Sequence, residues 1–511
     1  MPNGRLLMLQ GTASNVGKSV LAAGICRLLW QDGYRVAPFK AQNMSNNSFV
    51  TPGGGEIGRA QAVQAAACNV PPHVDMNPIL LKPEAEARSQ VVVLGKATEA
   101  MSAREYYRRK PELRPVTLDA LARLRAQYDV VVIEGAGSPA EINLRSVDLV
   151  NMGLARAVDA PVLLVGDIDR GGVFAHLYGT LELLEPEDRA LVRGFIINKF
   201  RGDKSILDPG VEAIAARTGV PSLGVVPWVA NHGLPEEDSV VLDGHGAAHA
   251  APGAVLDIAV IKLPRISNFT DFEPLQAEPG VSLRYVDRAD ALGQPDVIIV
   301  PGTKSTMADL RFLREAGFAV ALRRHARAGR LLLGICGGLQ MLGASILDPL
   351  HVESDETEAE GLGLLPLETT FEREKTTVEA EGFVLAAPGV FAAVRGVPVV
   401  GYEIHSGQSR LIGEAGPLLR LTHRAGWPVD TVDGLINAEG TVAGTYMHGL
   451  FDSDPFRHAF LQELAARKGV SLPEQASQPA EPDGDVFDRM ADLLRQHLDI
   501  PAIYRIAGLD T

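Results

Sequence analysis

The sequence predicts an α/β protein with two domains, and three features indicate this. The first is length, because 511 residues exceed what one compact domain usually contains. The second is a repeated alternation of short apolar runs with amphipathic stretches, which is typical of parallel strands covered by helices. The third is a break in this alternation at 231–254, where glycine, alanine, proline and acidic residues dominate.

The first series of apolar runs lies in residues 1–230 and predicts an N-terminal parallel sheet with helices on both faces. Leucine and isoleucine recur at helical spacing between residues 21 and 29, and leucine does so between 118 and 124, which predicts a helix in each place. The clearest strands are predicted at 5–10, 128–135, 160–167, 191–198 and 224–228.

After the predicted linker at 231–254, residues 255–470 repeat the pattern and predict a second α/β domain. An acidic, turn-rich stretch at 351–362 is expected to bulge from it. Residues 471–511 predict a loop followed by a helical tail from Val486. The clearest strands of the second domain are predicted at 255–264, 296–302, 330–336, 398–407 and 441–451.

Charge and cysteine usage exclude several classes of protein. With 48 basic and 63 acidic residues the net charge is −15, which disfavours binding to nucleic acid or to an anionic membrane surface. The cysteines Cys26, Cys68 and Cys336 are far apart, so neither a disulfide framework nor a structural zinc site is expected. The chain has no secretion signal at its start and no apolar run long enough to cross a membrane, so we expect a cytoplasmic protein.

A glycine-rich segment, GTASNVGKS at 11–19, follows the first predicted strand and opens a helix. Backbone N–H groups at such a helix start bind phosphate, and the lysine reaches the terminal phosphates of a nucleotide. The usual spacing would place the first glycine at position 12, so this is a variant pattern. The alternative is a glycine-rich turn with an unrelated lysine. The residues expected to bind ATP here are Gly11, Thr12, Val16, Gly17, Lys18 and Ser19.

A magnesium site is predicted beside this loop. Ser19 is the hydroxyl ligand that such loops supply, and Glu134 ends an apolar strand in the segment VVIEGAG. Because ligands collect at the carboxyl ends of parallel strands, Glu134 is expected next to Ser19. The alternative is an acidic residue in a solvated turn.

Four more polar residues follow predicted strands and are candidates for binding substrate or phosphate. Asp167, Asp169 and Arg170 follow the next strand, where the arginine suits a phosphate or a carboxylate. Structural capping is almost as good an explanation for these three. Lys40 follows the second apolar run and could bind the substrate carboxylate or an acyl phosphate. A solvated surface lysine is the alternative.

The second domain carries a predicted thiol nucleophile. Cys336 lies between an apolar strand and a helix with glycine on both sides, which is the pattern of a nucleophile elbow rather than of a buried structural cysteine. The candidate bases are His448 and His405, and the surrounding motifs favour His448. Backbone N–H groups of Gly302 and Gly337 are the candidates for an oxyanion hole.

These motifs resemble known families. The G-x-C-x-G-x-Q pattern with a later histidine resembles class I glutamine amidotransferase domains, although Leu450 stands where most of them have the glutamate that orients the histidine. The N-terminal half is similar to dethiobiotin synthetase through GTASNVGKS, EGAG, Asn198 and VVPW. The segments PFKAQNMSNNS, GRAQAVQAAA, MNPILLKP, EGAGSPAEINL, DIDRGGVFA, INKFRGD and LPRISNFTDFEPL resemble the cobyric acid synthase family up to about residue 460.

The resemblance implies an amide ligase of cobalamin biosynthesis that uses ATP, Mg²⁺ and glutamine. Its substrate would be a corrinoid, cobyrinic acid a,c-diamide or its adenosylated form, amidated on the b, d, e and g carboxylates through acyl phosphates. By the same similarity Asn198 would contact the adenine. A further magnesium ligand is an aspartate in dethiobiotin synthetase, and Glu56 or Gln61 could replace it here. What orients His448 stays open, with Asp452 as one candidate.

Three other functions remain open from the sequence, as does assembly into an oligomer. The nearest is cobyrinic acid a,c-diamide synthase, which shares both domains but amidates the a and c carboxylates. A second is an amide ligase acting on cell-wall lipid precursors. The third is a nucleotide-switched scaffold without enzymatic activity, favoured only by the missing acid after His448.

Overall fold

Two α/β units make up the described part of the chain, which in this computed structural model comprises residues 3–85, 88–229, 232–235, 250–385, 388–473 and 485–510. The N-terminal unit contains residues 3–229, and the C-terminal unit contains residues 250–473. Most of the predicted linker at 231–254 lies outside the described residues.

The N-terminal unit is built on a parallel sheet. Its strands are β1 (Arg5–Gly11), β2 (Val36–Phe39), β3 (Gln42–Met44), β4 (Ser48–Val50), β5 (Glu56–Gly58), β6 (Ile79–Ala85), β7 (Arg88–Val93), β8 (Lys96–Ser102), β9 (Val130–Glu134), β10 (Val162–Asp167), β11 (Val192–Phe200) and β12 (Ser222–Pro227). Six of them form the parallel sheet in the order β12-β11-β10-β1-β9-β2. Almost every residue of β1, β9 and β10 is buried, which explains their unbroken apolar sequences.

Helices cover both faces of this sheet, as predicted. They are α1 (Lys18–Gln31), α2 (Arg59–Ala67), α3 (Ala103–Gln127), α4 (Met152–Val158), α5 (Val173–Leu183), α6 (Pro186–Arg189) and α7 (Lys204–Thr218). One core contains side chains of α1 and α2, and the other contains side chains of α3, α4, α5 and α7. The predicted helices at 21–29 and 118–124 are parts of α1 and α3.

The segment between β2 and α3 forms structure that the sequence analysis did not predict. Strands β3, β6, β7 and β8 make a small second sheet, and β4 pairs with β5 as an antiparallel hairpin that leads directly into α2. Strands β3, β4 and β5 have only three residues each. The side chains of the longer strands do not alternate regularly between apolar and polar, so the pattern carries no clear strand signal. The hairpin lies against the C-terminal unit.

The C-terminal unit contains one large mixed sheet. Its strands are β13 (Leu256–Ile261), β14 (Val281–Val286), β15 (Val297–Val300), β16 (Leu331–Ile335), β17 (Ser345–Leu347), β18 (Glu358–Glu360), β19 (Leu367–Val384), β20 (Pro398–Leu411), β21 (Gly416–Arg424), β22 (Trp427–Ile436) and β23 (Val442–Thr445). Strands β14, β13, β15, β16 and β23 are parallel neighbours, in that order. The carboxyl ends of β16 and β23 therefore lie side by side, and Cys336 follows the first while His448 follows the second.

Helices of the C-terminal unit are α8 (Glu273–Gln276), α9 (Thr306–Glu315), α10 (Phe318–Arg327), α11 (Gly337–Leu342) and α12 (Asp454–Lys468). The acidic stretch 351–362 is not simply a surface bulge. It contains β18, which pairs with β17, and Glu353, which is half-buried and hydrogen-bonded to the start of α9. No helix in the described ranges combines the length and apolarity required to span a bilayer.

The predicted helical tail begins at Val486 as expected and forms α13 (Val486–His497) and α14 (Ile500–Ala507). Both helices pack on the N-terminal unit, where Leu494 is fully buried against α1. A Cβ on Gly24 of α1 would lie 2.6 Å from Leu494 Cδ1, so this contact depends on glycine. Arg27 of α1 donates hydrogen bonds to Asp485 (3.1 Å) and Asp488 (2.6 Å).

Candidate active site

The phosphate loop connects β1 to α1 at the carboxyl end of β1. Lys18 is the first residue of α1, and its ammonium group folds back to donate to the carbonyl oxygens of Ala13 (3.1 Å) and Gly137 (3.3 Å). Gly17 has a φ of 93°, and a Cβ there would lie 2.2 Å from Asn198 Nδ2. Glycine is therefore required at this turn, both for its conformation and for the close approach.

The other predicted loop residues lie in the same place. A Cβ on Gly11 would lie 2.7 Å from Val16 Cγ2 and 2.8 Å from Lys18 Nζ. The hydroxyl of Thr12 is buried without a hydrogen-bond partner in the described structure, as expected for a group that meets a ligand. Asn198 Nδ2 donates to Val16 O (2.9 Å), so the residue expected at the adenine also braces the loop.

Glu134 and Ser19 meet beside this loop, as predicted from the strand ends. Ser19 Oγ donates to Glu134 Oε1 (2.9 Å), and Lys40 Nζ donates to the same oxygen (2.8 Å). Gln64 Nε2 of α2 donates to the other oxygen (2.6 Å). Burial alone would raise the pKa of Glu134, but Lys40 and these hydrogen bonds hold it below its ordinary value, so the carboxylate stays ionised.

These residues fit a magnesium ion bound together with a nucleotide. No group of three or more His, Cys, Asp or Glu side chains in the described ranges could hold a metal ion by itself. Mg²⁺ in nucleotide sites usually takes only one or two protein oxygens and completes its shell with phosphate and water. The Ser19 hydroxyl and the ionised Glu134 carboxylate are such a pair.

Among the candidate substrate residues, Lys40 contacts the predicted magnesium ligand Glu134 directly. Its side chain is only 7% exposed and contacts Glu134, so it is not a surface lysine. Glu56 does not complete a metal shell, contrary to one of the sequence-based alternatives. Its two oxygens are held by Lys82 and by Lys375 of the C-terminal unit, which together keep the pKa of Glu56 low despite burial.

The three candidates at the carboxyl end of β10 have different environments. Asp167 is buried and accepts a hydrogen bond from Lys199 Nζ (3.0 Å), which also donates to Asn15 O in the phosphate loop. Asp169 is exposed and forms an ion pair with Arg201 (3.0 Å). Arg170 is also exposed. The structure therefore links Asp167 to the loop and places Asp169 and Arg170 at its rim.

Cys336 forms a sharp turn between β16 and α11. Its φ of 51° is in the left-handed region, which is strained for a residue with a side chain. A Cβ on Gly338 would lie 1.9 Å from Val300 O, and one on Gly334 would lie 2.7 Å from Leu339 N. The flanking glycines therefore allow a tight strand-to-helix turn that holds the thiol at the helix N-terminus.

His448 lies against this thiol and is oriented by an aspartate. Its Nδ1 is 2.6 Å from Asp271 Oδ2, and both side chains are at least 95% buried. Burial disfavours the imidazolium, but the negative charges of Asp271 and of the Cys336 thiolate raise the pKa of His448 to about 10. This arrangement favours a protonated imidazole beside the sulfur of Cys336.

The alternative base and the two positions considered for orienting His448 lie in other surroundings. His405 lies within β20, where its Nδ1 donates to Gly407 O (2.9 Å) and its ring stacks on Tyr446. Leu450 is buried in the core. Asp452 is exposed, and Asp271 occupies the position beside His448 that Asp452 was a candidate for.

The two glycines predicted for the oxyanion hole both face the site. A Cβ on Gly302 would lie 2.8 Å from His448 Cε1. Gly337 is the first residue of α11, next to Thr303, where helix N–H groups lack partners within the helix. Gly337 thus lines the pocket around Cys336, and Gly302 lies against His448.

The pocket around Cys336 is shared by the two units. Lys82 and Gln90, on β6 and β7 of the N-terminal unit, line it together with Lys304 of the C-terminal unit. Lys304 Nζ also forms an ion pair with Glu84 (2.7 Å) across the interface. The thiol site is therefore bordered by the unit that carries the phosphate loop.

Glu353 is a pocket residue that the sequence analysis missed. It accepts hydrogen bonds from the Met307 backbone N (3.0 Å) and the Thr306 hydroxyl (3.1 Å). Burial raises its pKa to about 7, and it lines the pocket with Cys336 and Gln340. A buried carboxylate of this kind can accept an ammonium group from a ligand.

Asp271 and Gln64 were also missed, although both lie in quoted motifs. Asp271 belongs to LPRISNFTDFEPL, but it is 177 residues from His448 and no local spacing connects the two. Gln64 belongs to GRAQAVQAAA, where its buried side chain is hidden among alanines of α2. In each case the available signal was a polar residue of the motif at a position that the fold buries.

Comparison with protein families divides the chain in the same way. Residues 7–239 match the CobQ/CobB/MinD/ParA nucleotide binding domain. Residues 257–456 match the CobB/CobQ-like glutamine amidotransferase domain.

Full-length relatives agree with these matches. A protein named cobyric acid synthase from Dehalococcoides mccartyi (strain ATCC BAA-2266 / KCTC 15142 / 195) is 52% identical over 98% of both chains. One of the same name from Sorangium cellulosum (strain So ce56) is 52% identical over 99% of both chains. A solved structure titled as a glutamine amidotransferase is 22% identical and covers 41% of this chain and 98% of its own, with a TM-score of 0.29.

Proposed function

The chain belongs to the cobyric acid synthase family, and we propose that it uses ATP and glutamine to amidate the b, d, e and g carboxylates of adenosylcobyrinic acid a,c-diamide in cobalamin biosynthesis. The observation that carries this proposal is the shared interface. The pocket of the Cys336–His448–Asp271 site is lined in part by the unit in which Lys18, Ser19 and Glu134 surround a phosphate loop.

The C-terminal unit releases ammonia from glutamine. The Cys336 thiolate attacks the side-chain amide carbon, and the backbone N–H groups of Gly302 and Gly337 stabilise the resulting oxyanion. His448 gives its proton to the departing nitrogen, which leaves as ammonia with formation of a thioester. Water, deprotonated by His448, then hydrolyses the thioester to glutamate and restores the thiolate.

Asp271 makes the first of these steps possible at neutral pH. A buried imidazole would otherwise lose its proton, since burial disfavours the charged form. The aspartate 2.6 Å away keeps His448 protonated and fixes the ring so that Nε2 is free for the reaction. It therefore has the role that a glutamate two residues after the histidine has in most domains of this class.

Glu353 and Lys304 are suited to the charged end of glutamine. The buried carboxylate would accept the α-ammonium group, and the ammonium group of Lys304 at the same pocket would attract the α-carboxylate. Gln340 lines the same pocket, bonded through its side chain to Thr306 and Tyr446, and would fix the remaining polar atoms.

The N-terminal unit activates the corrinoid carboxylate. A carboxylate oxygen attacks the γ-phosphorus of ATP, ADP leaves, and an acyl phosphate forms. Lys18 holds the terminal phosphates, while Lys40 places positive charge beside Glu134, where the acyl phosphate would form. Magnesium, held by Ser19 and Glu134, would neutralise the developing phosphate charge. The lone pair of ammonia then attacks the acyl carbon, and phosphate departs as the amide forms and loses a proton.

The test is incubation of the purified protein with ATP, glutamine and adenosylcobyrinic acid a,c-diamide, with products followed by mass spectrometry. We expect four successive carboxyl-to-amide conversions that need ATP. Lys18→Ala should abolish amidation with either glutamine or ammonium salt, whereas Cys336→Ser should lose only the glutamine-supported reaction. Consumption of cobyrinic acid but not of its a,c-diamide would instead identify an a,c-diamide synthase, and ATP binding without any product would refute the proposal.

A further inference from the structure

The second oxygen of Asp271 is held as firmly as the first. While Oδ2 faces His448, Oδ1 accepts hydrogen bonds from the Tyr402 hydroxyl (3.1 Å) and from the Gly449 backbone N (3.3 Å). A carboxylate bonded through both oxygens cannot rotate away from its partner. The orientation of Asp271 toward His448 therefore depends on Tyr402.

The direction of the Tyr402 hydroxyl bond is fixed by Asn268. A tyrosine hydroxyl has one proton, and Asn268 Nδ2 donates to its oxygen (2.8 Å), so the proton is left for Asp271. Burial and the nearby Asp271 raise the pKa of Tyr402 well above its ordinary value, which keeps it a neutral donor. Its ring also stacks on the imidazole of His448, with centroids 5.3 Å apart.

Asn268 is in turn held by the other unit. Its side-chain amide pairs with the backbone of Ser48 at the start of β4, accepting from Ser48 N (3.4 Å) and donating to Ser48 O (3.2 Å). Asn268 is 2% exposed and has a φ of 52°, a conformation that asparagine tolerates better than most residues. The side-chain amide thus forms hydrogen bonds with the edge of the β4–β5 hairpin in the way that the backbone of a neighbouring strand would.

The charged groups around Asp271 come from both units. Arg59, at the start of α2, faces Asp271, Tyr402, Asp452 and Glu273. Its guanidinium lies over the Phe49 ring of the same hairpin (5.4 Å). The N-terminal unit therefore contributes a positive charge as well as a hydrogen-bonded edge to the surroundings of this carboxylate.

We propose that Tyr402 and Asn268 are positioning residues for the Asp271–His448 pair and that the backbone of Ser48 anchors them, so the thiol site is held in its reactive arrangement from the N-terminal unit. This inference rests on the proposed glutaminase reaction. It assigns these residues no contact with substrate, and they act only through Asp271.

The variants Tyr402→Phe and Asn268→Ala test the proposal in the full-length protein. Tyr402→Phe keeps the ring against His448 and removes only the hydroxyl. Loss of a hydrogen bond to a charged group should lower glutamine hydrolysis (kcat/KM) by about tenfold to a hundredfold. The loss should appear in kcat rather than in KM, because neither residue is placed on glutamine.

The pH dependence is the decisive readout, because a structural effect would not move it. The upper limb of the wild-type profile reports proton loss from His448, whose pKa is about 10. In both variants this limb should move to lower pH by about one unit, since a poorly held Asp271 stabilises the imidazolium less. The rate at which iodoacetamide alkylates Cys336 at neutral pH, followed by mass spectrometry, should fall in both variants, because a less protonated His448 stabilises the thiolate less.

Tyr504→Phe is the matched control, because it removes a buried tyrosine hydroxyl bonded to a carboxylate, Asp32, far from the thiol. It should leave the pH profile unchanged. Ammonium-supported amidation at the wild-type rate shows that a variant is folded. If Asn268→Ala has lost this activity, the result for Tyr402→Phe decides whether the proposal holds. An unshifted limb and unchanged hydrolysis in Tyr402→Phe would overturn the proposal. Absence of glutamine hydrolysis in the wild type would instead refute the proposed function.

Discussion

Replacement of Asp271 by asparagine should disable glutamine hydrolysis while leaving the rest of the enzyme intact. The carboxylate of Asp271 is 5% exposed and lies 2.6 Å from His448 Nδ1. Removal of one charge from such a buried pair costs about 3–5 kcal/mol. At about 1.4 kcal/mol for each factor of ten, kcat/KM for glutamine should fall by a factor between about a hundred and a few thousand.

The reason lies in the proton that His448 donates. Asp271 and the thiolate raise the pKa of His448 to about 10, so the imidazole is protonated below that pH and loses its proton as the pH rises through it. Without the carboxylate, burial dominates and lowers the pKa, so His448 is less protonated at neutral pH. The residual activity of the variant should therefore decline at a lower pH than that of the wild type.

The assay is glutamate release measured from about pH 6 to about pH 10.5, with ammonium-supported amidation measured in parallel. The second reaction should be unaffected, since it does not use the thiol site. Asp290→Asn, which alters an exposed aspartate paired with Arg288, is the control and should behave as wild type. A variant at position 271 that hydrolyses glutamine within a factor of about three of wild type, with an unmoved upper limb, would refute this reasoning.

Three further changes probe other parts of the structure. Glu353→Gln should raise KM for glutamine about tenfold or more, because the pocket loses the charge that would bind the α-ammonium group. Glu356→Gln, at an exposed ion pair, should leave KM unchanged. Equal kinetics of the two variants would contradict the binding of glutamine at Glu353. Gly338→Ala should abolish glutamine hydrolysis and lower the free energy of unfolding by about 1–3 kcal/mol, measured by urea denaturation, because its Cβ would meet Val300 O at 1.9 Å. Leu494→Ala should lower the melting temperature, because the cavity that it leaves costs about 2–5 kcal/mol of unfolding free energy. Leu350→Ala, at a half-exposed position, should change the melting temperature little. A larger decrease in Leu350→Ala than in Leu494→Ala would show that α13 is not part of the core.

Local patterns were sufficient to predict the parts of the fold whose signals are contained in one segment. The strands β1, β9, β10 and β16 are continuous apolar runs because they are buried on both faces. The phosphate loop and the glycines around Cys336 combine a strand, a turn and a helix start within a few residues. Each of these segments lies where the pattern predicted.

Contacts between distant segments could not be predicted in this way. Asp271 contacts His448 only because two distant parts of the C-terminal unit fold together, and a single sequence contains no trace of that pairing. The antiparallel strands β6 and β7 are mixed in polarity because Ile79, Leu81 and Val91 belong to the core of the N-terminal unit, whereas Lys82 and Gln90 line the pocket shared with the C-terminal unit. The inward turn of Glu353 within an acidic stretch is likewise set by its partners on α9.

The helices α13 and α14 have a consequence for how the protein is made. They complete the apolar layer over α1, yet on the ribosome they emerge more than four hundred residues after it. At typical translation rates of about 5–20 residues per second, that layer stays uncovered for roughly half a minute to a minute and a half. A nascent chain that terminates before these helices would keep an apolar surface open to chaperones and proteases, so synthesis of residues 485–510 marks the point at which the nucleotide-binding part can close.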